Sequence, residues 1–186
     1  NHTDACKRSK DPMNRFMIVV NPDKDTDSTV TNRIQSYLEA HGAACMVRDV
    51  FHLESSDWEA LKKEQFDCVL VLGGDGTLLR MAGETEDIDI PLFGINLGTV
   101  GFLTEGEVAN IEEILDRLLT DDFTIEERMM VTGTVTKADG TTYRKSALND
   151  IVISRAGFSR LIGLNVSVDG PVSYTHLRAH ETSQDL

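Results

Sequence analysis

Residues 69–77 read Val-Leu-Val-Leu-Gly-Gly-Asp-Gly-Thr, an apolar run that ends in three glycines around a single carboxylate. The run suits a strand buried on both faces. Gly73, Gly74 and Gly76 admit positive φ and let a ligand approach backbone N–H groups, and Asp75 is the one ionisable group in the turn. Helical sequence follows from Thr77 through Arg80 to Ala82, so free amides and the positive end of a helix dipole would face an anion. Such a loop can hold a metal–nucleotide complex or accept a proton from an attacking hydroxyl. A plain strand-to-helix turn with Asp75 as N-cap would use the same residues without a ligand. Neither a Gly-Lys-Ser/Thr continuation nor a G-x-G-x-x-G spacing is present, which excludes a P-loop lysine at this turn.

Two further segments could meet the same ligand. Asn96-Leu97-Gly98-Thr99-Val100-Gly101-Phe102 follows a second apolar run, so it belongs at the carboxyl end of the same sheet, where open α/β folds bind ligands. Asn96 offers a carbonyl and an amide that suit an adenine or a ribose, and Phe102 could wall a pocket; equally, Gly98 and Gly101 could only make turns and Phe102 be core. Asn149-Asp150, just before Ile151-Val152-Ile153, is either a bulge with satisfied side chains or a ligand contact. Arg80 could meet phosphate or be a solvated charge.

The run from Gly73 to Arg80, the run from Gly94 to Glu105 and Ala147-Leu148-Asn149-Asp150 resemble, in order and spacing, three signatures of the NAD kinases. The similarity extends over residues 13–170. The first signature is shared with diacylglycerol and sphingolipid kinases; the second discriminates. The resemblance implies transfer of the γ-phosphoryl of ATP, or of polyphosphate, to the 2′-hydroxyl of the adenosine ribose of NAD, with Asp75 as proton acceptor. It implies a ligand-binding set of Gly73, Gly74, Asp75, Gly76, Thr77, Arg80, Asn96, Phe102, Asn149, Asp150 and Arg160. A divalent ion such as Mg²⁺ is implied by the triphosphate chemistry, without a ligand cluster in the sequence, and a homo-oligomer is implied at full length. The alternatives are a lipid kinase of the same superfamily, which would need a membrane-facing segment, and a non-catalytic nucleotide-binding fragment.

The family pattern breaks at both ends. Residues 1–12 read as a non-native leader, and 171–186 as translated vector sequence in place of the family's continuation, so the chain is expected to be a truncated enzyme, inactive by itself. His176 and His180 lie in that tail with no further metal ligands near them.

A net charge of -13 argues against a nucleic-acid partner. No apolar stretch approaches the roughly 20 residues that span a bilayer, and a cytoplasmic protein without a membrane partner is the expectation. Cys6, Cys45 and Cys68 share no metal-ligand spacing and predict no disulfide. Strands near 16–20, 43–47, 68–72 and 91–96 alternate with helices, which predicts a parallel Rossmann-like α/β sheet with flanking helices. Asp27 or Ser28, a Ser56-x-x-Glu59 box and an Asn110-x-x-Glu113 box are the predicted helix caps. Past Asp121 the pattern turns antiparallel, with a hairpin over 131–137 and 142–147 and alternation at Ile162, Leu164, Val166 and Val168. The expected domains are an α/β nucleotide-binding domain over 13–122 and the start of a β-rich substrate domain over 123–170.

Overall fold

A computed structural model describes residues 12–63, 65–98, 101–153, 166–167, 170 and 172–174. The predicted alternation is present. Strands β1 (Arg15–Val20), β2 (Ala44–Asp49), β3 (Cys68–Gly73), β4 (Leu92–Asn96) and β5 (Gly106–Glu107) form one sheet in the order β2-β1-β3-β4-β5. Every pairing in it is parallel. Helices α1 (Thr29–Ala40), α2 (Ser55–Lys62) and α3 (Asp75–Glu84) supply the first three crossovers, a loop joins β4 to β5, and α4 (Ile111–Leu119) follows β5.

Side chains alternate across a strand, so each strand feeds two cores. Phe16, Ile18, Leu70, Leu72 and Ile95 pack with Ile34 and Leu38 of α1 and Ile111 and Leu115 of α4. Met17, Val19, Val69 and Val71 point the other way and pack with Leu61 of α2 and Leu78 and Met81 of α3. Central β3 is buried at every position, Cys68 included, as its unbroken apolar run requires. Cys45 is half-buried; burial and the neighbouring Glu39 push its thiol up to about 11, which leaves it a poor nucleophile at neutral pH.

The structure corrects the predicted caps. Ser28 is the N-cap of α1 by position, but its backbone is left-handed and its hydroxyl caps nothing. Asp27 accepts the Thr29 N–H, and the buried carboxylate of Asp25 accepts the Val30 and Thr31 N–H groups and the Thr31 hydroxyl. The box at α2 is Glu54 with Asp57, shifted from the predicted pair, and Arg48 bonds Asp57 at 2.6 Å. At α4, Asn110 makes no side-chain cap.

Because Asp25 satisfies three donors from a buried position, Asp25→Ala is expected to cost about 1–3 kcal/mol, the range for a lost cap that leaves donors unpaired. Urea unfolding measures it, with Asp27→Ala, at an exposed carboxylate, as the milder comparison.

Strands β6 (Val131–Thr136) and β7 (Thr142–Ala147) form the expected antiparallel hairpin, closed by a turn with Gly140 at φ 84°. They cluster with the α/β elements in a unit over residues 1–151. Within it Ser146 of β7 is buried, bonds the Thr132 hydroxyl at 2.9 Å and packs its carbonyl near Gly83 of α3. In the second unit, residues 152–186, β8 (Val166–Ser167) and β9 (Val172–Tyr174) pair antiparallel. The predicted alternation at Ile162, Leu164 and Val168, and also Cys6, His176 and His180, lie outside the described residues. No described helix is long and apolar enough to cross a membrane.

Candidate functional site at the carboxyl edge of the sheet

Three loops leave the carboxyl ends of adjacent strands β1, β3 and β4. Their ends are tied together: the Asn21 N–H bonds the Leu72 carbonyl at 2.8 Å, the Leu97 N–H bonds the Gly73 carbonyl at 2.7 Å, and the Asn21 amide reaches the Thr77 hydroxyl at 3.4 Å. The two glycine loops therefore face one crevice, as their place after neighbouring strands predicts.

Asp75 opens α3 and joins the two loops. Its Oδ2 accepts the Phe102 N–H at 2.8 Å, and its Oδ1 accepts the N–H groups of Leu103 at 3.1 Å and Thr104 at 3.2 Å, with the Thr104 hydroxyl at 3.3 Å. It does not cap its own helix. The Phe102 N–H foremost, then those of Leu103 and Thr104 and the Thr104 hydroxyl, hold its carboxyl below the ordinary carboxylate range against an opposing push from desolvation. Oδ1 is saturated, whereas Oδ2 keeps an unfilled lone pair for a ligand hydroxyl.

A depressed carboxyl stabilises the fold above its unfolded pKa near 3.9 and loses that contribution as pH falls through the lower folded value. The amide shifts of Phe102, Leu103 and Thr104 are expected to stay constant from about pH 7 to 5 and to move together only below about pH 4. An NMR acid titration reads this directly.

The glycines divide by what surrounds them. None of Gly73, Gly74 and Gly76 has positive φ, contrary to the conformational reason expected from the sequence. Gly73 is needed for space, since a Cβ there would meet the Thr77 hydroxyl at 2.4 Å. Gly101 lies against Asp75, with 2.1 Å from an added Cβ to Oδ1. Around Gly74 and Gly76 a Cβ would meet nothing within 4 Å among the described residues. No described residue gives a reason for glycine at those two positions.

The remaining predicted residues divide too. Thr77 is buried against the loop. Asn96 is buried at the end of β4, and its amide is engaged within its own loop, with Oδ1 accepting from Gly98 N–H at 3.1 Å and Nδ2 donating to Gly98 O at 3.3 Å. Phe102 is fully exposed beside Asp75, so it is not a core residue. Arg80 points toward the β2–α2 loop, its guanidinium 5.5 Å from the Phe51 ring centre. Asn149 and Asp150 are exposed just past β7, a strand that meets α3 at Gly83, about 12 Å along the helix axis from Asp75. Arg160 lies outside the described residues.

Local sequence signals missed Asn21, Lys24 and Thr104, which reach the site through contacts distant in the chain. No group of three His, Cys, Asp or Glu side chains among the described residues could hold a metal ion, and Asp75 is largely taken by amides. These residues do not form a metal site of their own.

Fold and crevice define an open parallel α/β protein with paired glycine loops at the carboxyl edge. A family profile described as ATP-NAD kinase N-terminal domain matches residues 16–123, and the chain belongs to that family. It is 40% identical over 164 residues to the NAD kinase of Lachnoclostridium phytofermentans, covering 86% of this chain and 57% of that protein. It is 37% identical over 169 residues to the NAD kinase of Lachnospira eligens, covering 88% and 58%. Yeast NADH kinase, solved in complex with NADH, matches in fold with a TM-score of 0.67 at 18% identity, over 88% of this chain and 55% of that one. The chain thus spans little more than half the length of the relatives it matches.

Proposed function

We propose that this chain is the nucleotide-binding part of an NAD kinase, acting with ATP on the 2′-hydroxyl of the adenosine ribose of NAD. The observation that carries this reading is the pair of glycines, Gly74 and Gly76, that stand open at the mouth of a crevice bounded by Asp75 and an exposed aromatic ring. Open glycine backbone at a helix start admits a phosphate closely. The bland turn needs no such openness, and Asp75 caps the second loop instead of its own helix.

In this reading Asp75 Oδ2 accepts a hydrogen bond from the attacking hydroxyl and orients it. Held below the ordinary range by the Phe102 N–H above all, the carboxylate is a weak base, so proton removal is completed only as the phosphoryl group arrives. Positioning carries most of its contribution. Phe102 walls the pocket, Thr77 and Asn96 shape the loops, and Asn149 and Asp150 are the proposed contacts to the substrate. A divalent ion would be held by the phosphates, as Mg²⁺ usually is, and no step is routed through it here. Residues 13–122 form the nucleotide-binding domain and 123–170 begin a substrate domain.

The test joins residues 13–170 to the carboxyl-terminal part of the Lachnoclostridium phytofermentans relative and supplies NAD, ATP and Mg²⁺. NADP formation is the expected result. A folded chimera that binds both nucleotides without forming NADP would instead leave a binding module.

A further inference from the structure

The chain has 31 acidic and 18 basic residues, and among the described residues Lys24 comes beside the Gly98 loop with no carboxylate bonded to it. Lys24 lies in the loop after β1, and its ammonium is 3.8 Å from the point where a side chain on Gly98 would begin. Strands β1 and β4 are not neighbours; β3 lies between them. A side chain that starts after β1 and ends beside the β4 loop crosses over the end of β3, a span of two strand spacings or about 9–10 Å between the loop origins. Its ammonium therefore ends beside the β4 loop, on the side of the sheet from which the turn 73–77 also leaves.

The loop that holds Lys24 is fixed. Its N–H bonds the Asn21 carbonyl at 3.0 Å, the next residue is the buried Asp25, and the Asn21 side chain accepts the Asp23 N–H at 3.0 Å. No hydrogen bond or ion pair engages the ammonium among the described residues. Arg80, the cation nearest to the glycine loop in sequence, is already directed to Phe51 and lies close enough to Asp49 to lower its carboxyl, after the larger effect of the Phe51 N–H. Sequence excludes a P-loop lysine at the turn itself; the fold brings one beside the β4 loop from a different strand.

We propose that Lys24 is the cation that receives the phosphate chain of the bound nucleotide, a role that rests on the nucleotide-site reading above. An ammonium is a compact point charge that suits a phosphate chain without demanding one fixed geometry. The phosphates can belong to the donor triphosphate or to the pyrophosphate of a dinucleotide, and the two are separable.

Tripolyphosphate and NAD are titrated in turn into the 186-residue chain and into Lys24→Met and Lys24→Arg, with amide shifts of residues 73–77 and calorimetry as readouts. Lys24 is exposed, so neither variant should change the melting temperature. Lys24→Met is expected to weaken one of the two ligands about tenfold, the scale of a lost charge-assisted hydrogen bond, while Lys24→Arg stays within a few-fold of the parent. Weakened tripolyphosphate assigns the donor chain, and weakened NAD assigns the dinucleotide. If Lys24→Met binds both ligands as the parent does, the lysine has no such role although the crevice still binds phosphate. If neither ligand moves residues 73–77 in the parent chain, both readings fall together.

Discussion

Asp75→Asn, in a protein of full family length, is expected to lower NADP formation about 100-fold or more while NAD affinity falls only a few-fold. The bonding around the carboxylate sets the direction. An asparagine can keep its carbonyl where Oδ1 meets Leu103 and Thr104, but its NH₂ group then takes the place of Oδ2 and faces the Phe102 N–H across 2.8 Å. Two donors cannot pair, so that contact opens. The same exchange removes the oxygen with the spare lone pair, the one available to a substrate hydroxyl. Turnover and loop closure should therefore fail together, and three measurements separate them: kcat, the NAD dissociation constant, and the amide shifts of Phe102 to Thr104. Near-normal kcat with disturbed amide shifts would make Asp75 a strut between the loops and nothing more.

That dual use of Asp75 marks the limit of local sequence reading. The glycine loop, the second loop, the parallel alternation and the hairpin were legible because each is written in adjacent residues: apolar runs of strand length, glycines at their ends, a helical stripe. Strand β5 was not, because Gly106–Glu107 has two residues and no apolar pattern; it exists only because β4 offers an edge. Asp25 was passed over as a cap because it sits five residues before the first amide that it holds, outside the usual cap spacing. Lys24 comes beside Gly98 and Thr104 bonds Asp75, neighbours which no window of a few residues contains. The expected positive φ at the glycine loop failed for a related reason: Gly73 is required there for space against Thr77, whereas Gly74 and Gly76 are open, and only the neighbours reveal that difference.

Two glycine substitutions turn that distinction into the second large effect. Gly101→Ala puts a Cβ 2.1 Å from Asp75 Oδ1 and 2.6 Å from its Cγ, far inside contact distance, so the carboxylate must leave the turn 102–104 or the backbone must yield. Overpacking of this kind costs about 1–3 kcal/mol, and catalysis should fall with it at least as far as in Asp75→Asn. Gly76→Ala is the opposite case. Among the described residues the added methyl meets nothing within 4 Å, and Gly76 lies in the first turn of α3, where alanine is favoured over glycine by up to about 1 kcal/mol. The variant should be as stable as the parent or more so in urea unfolding. If the open space over Gly76 is where phosphate approaches the backbone, the methyl occupies it, and tripolyphosphate or ATP affinity should fall tenfold or more in calorimetry. A stabilised Gly76→Ala chain that still binds both at parental affinity would return the loop to a simple strand-to-helix turn.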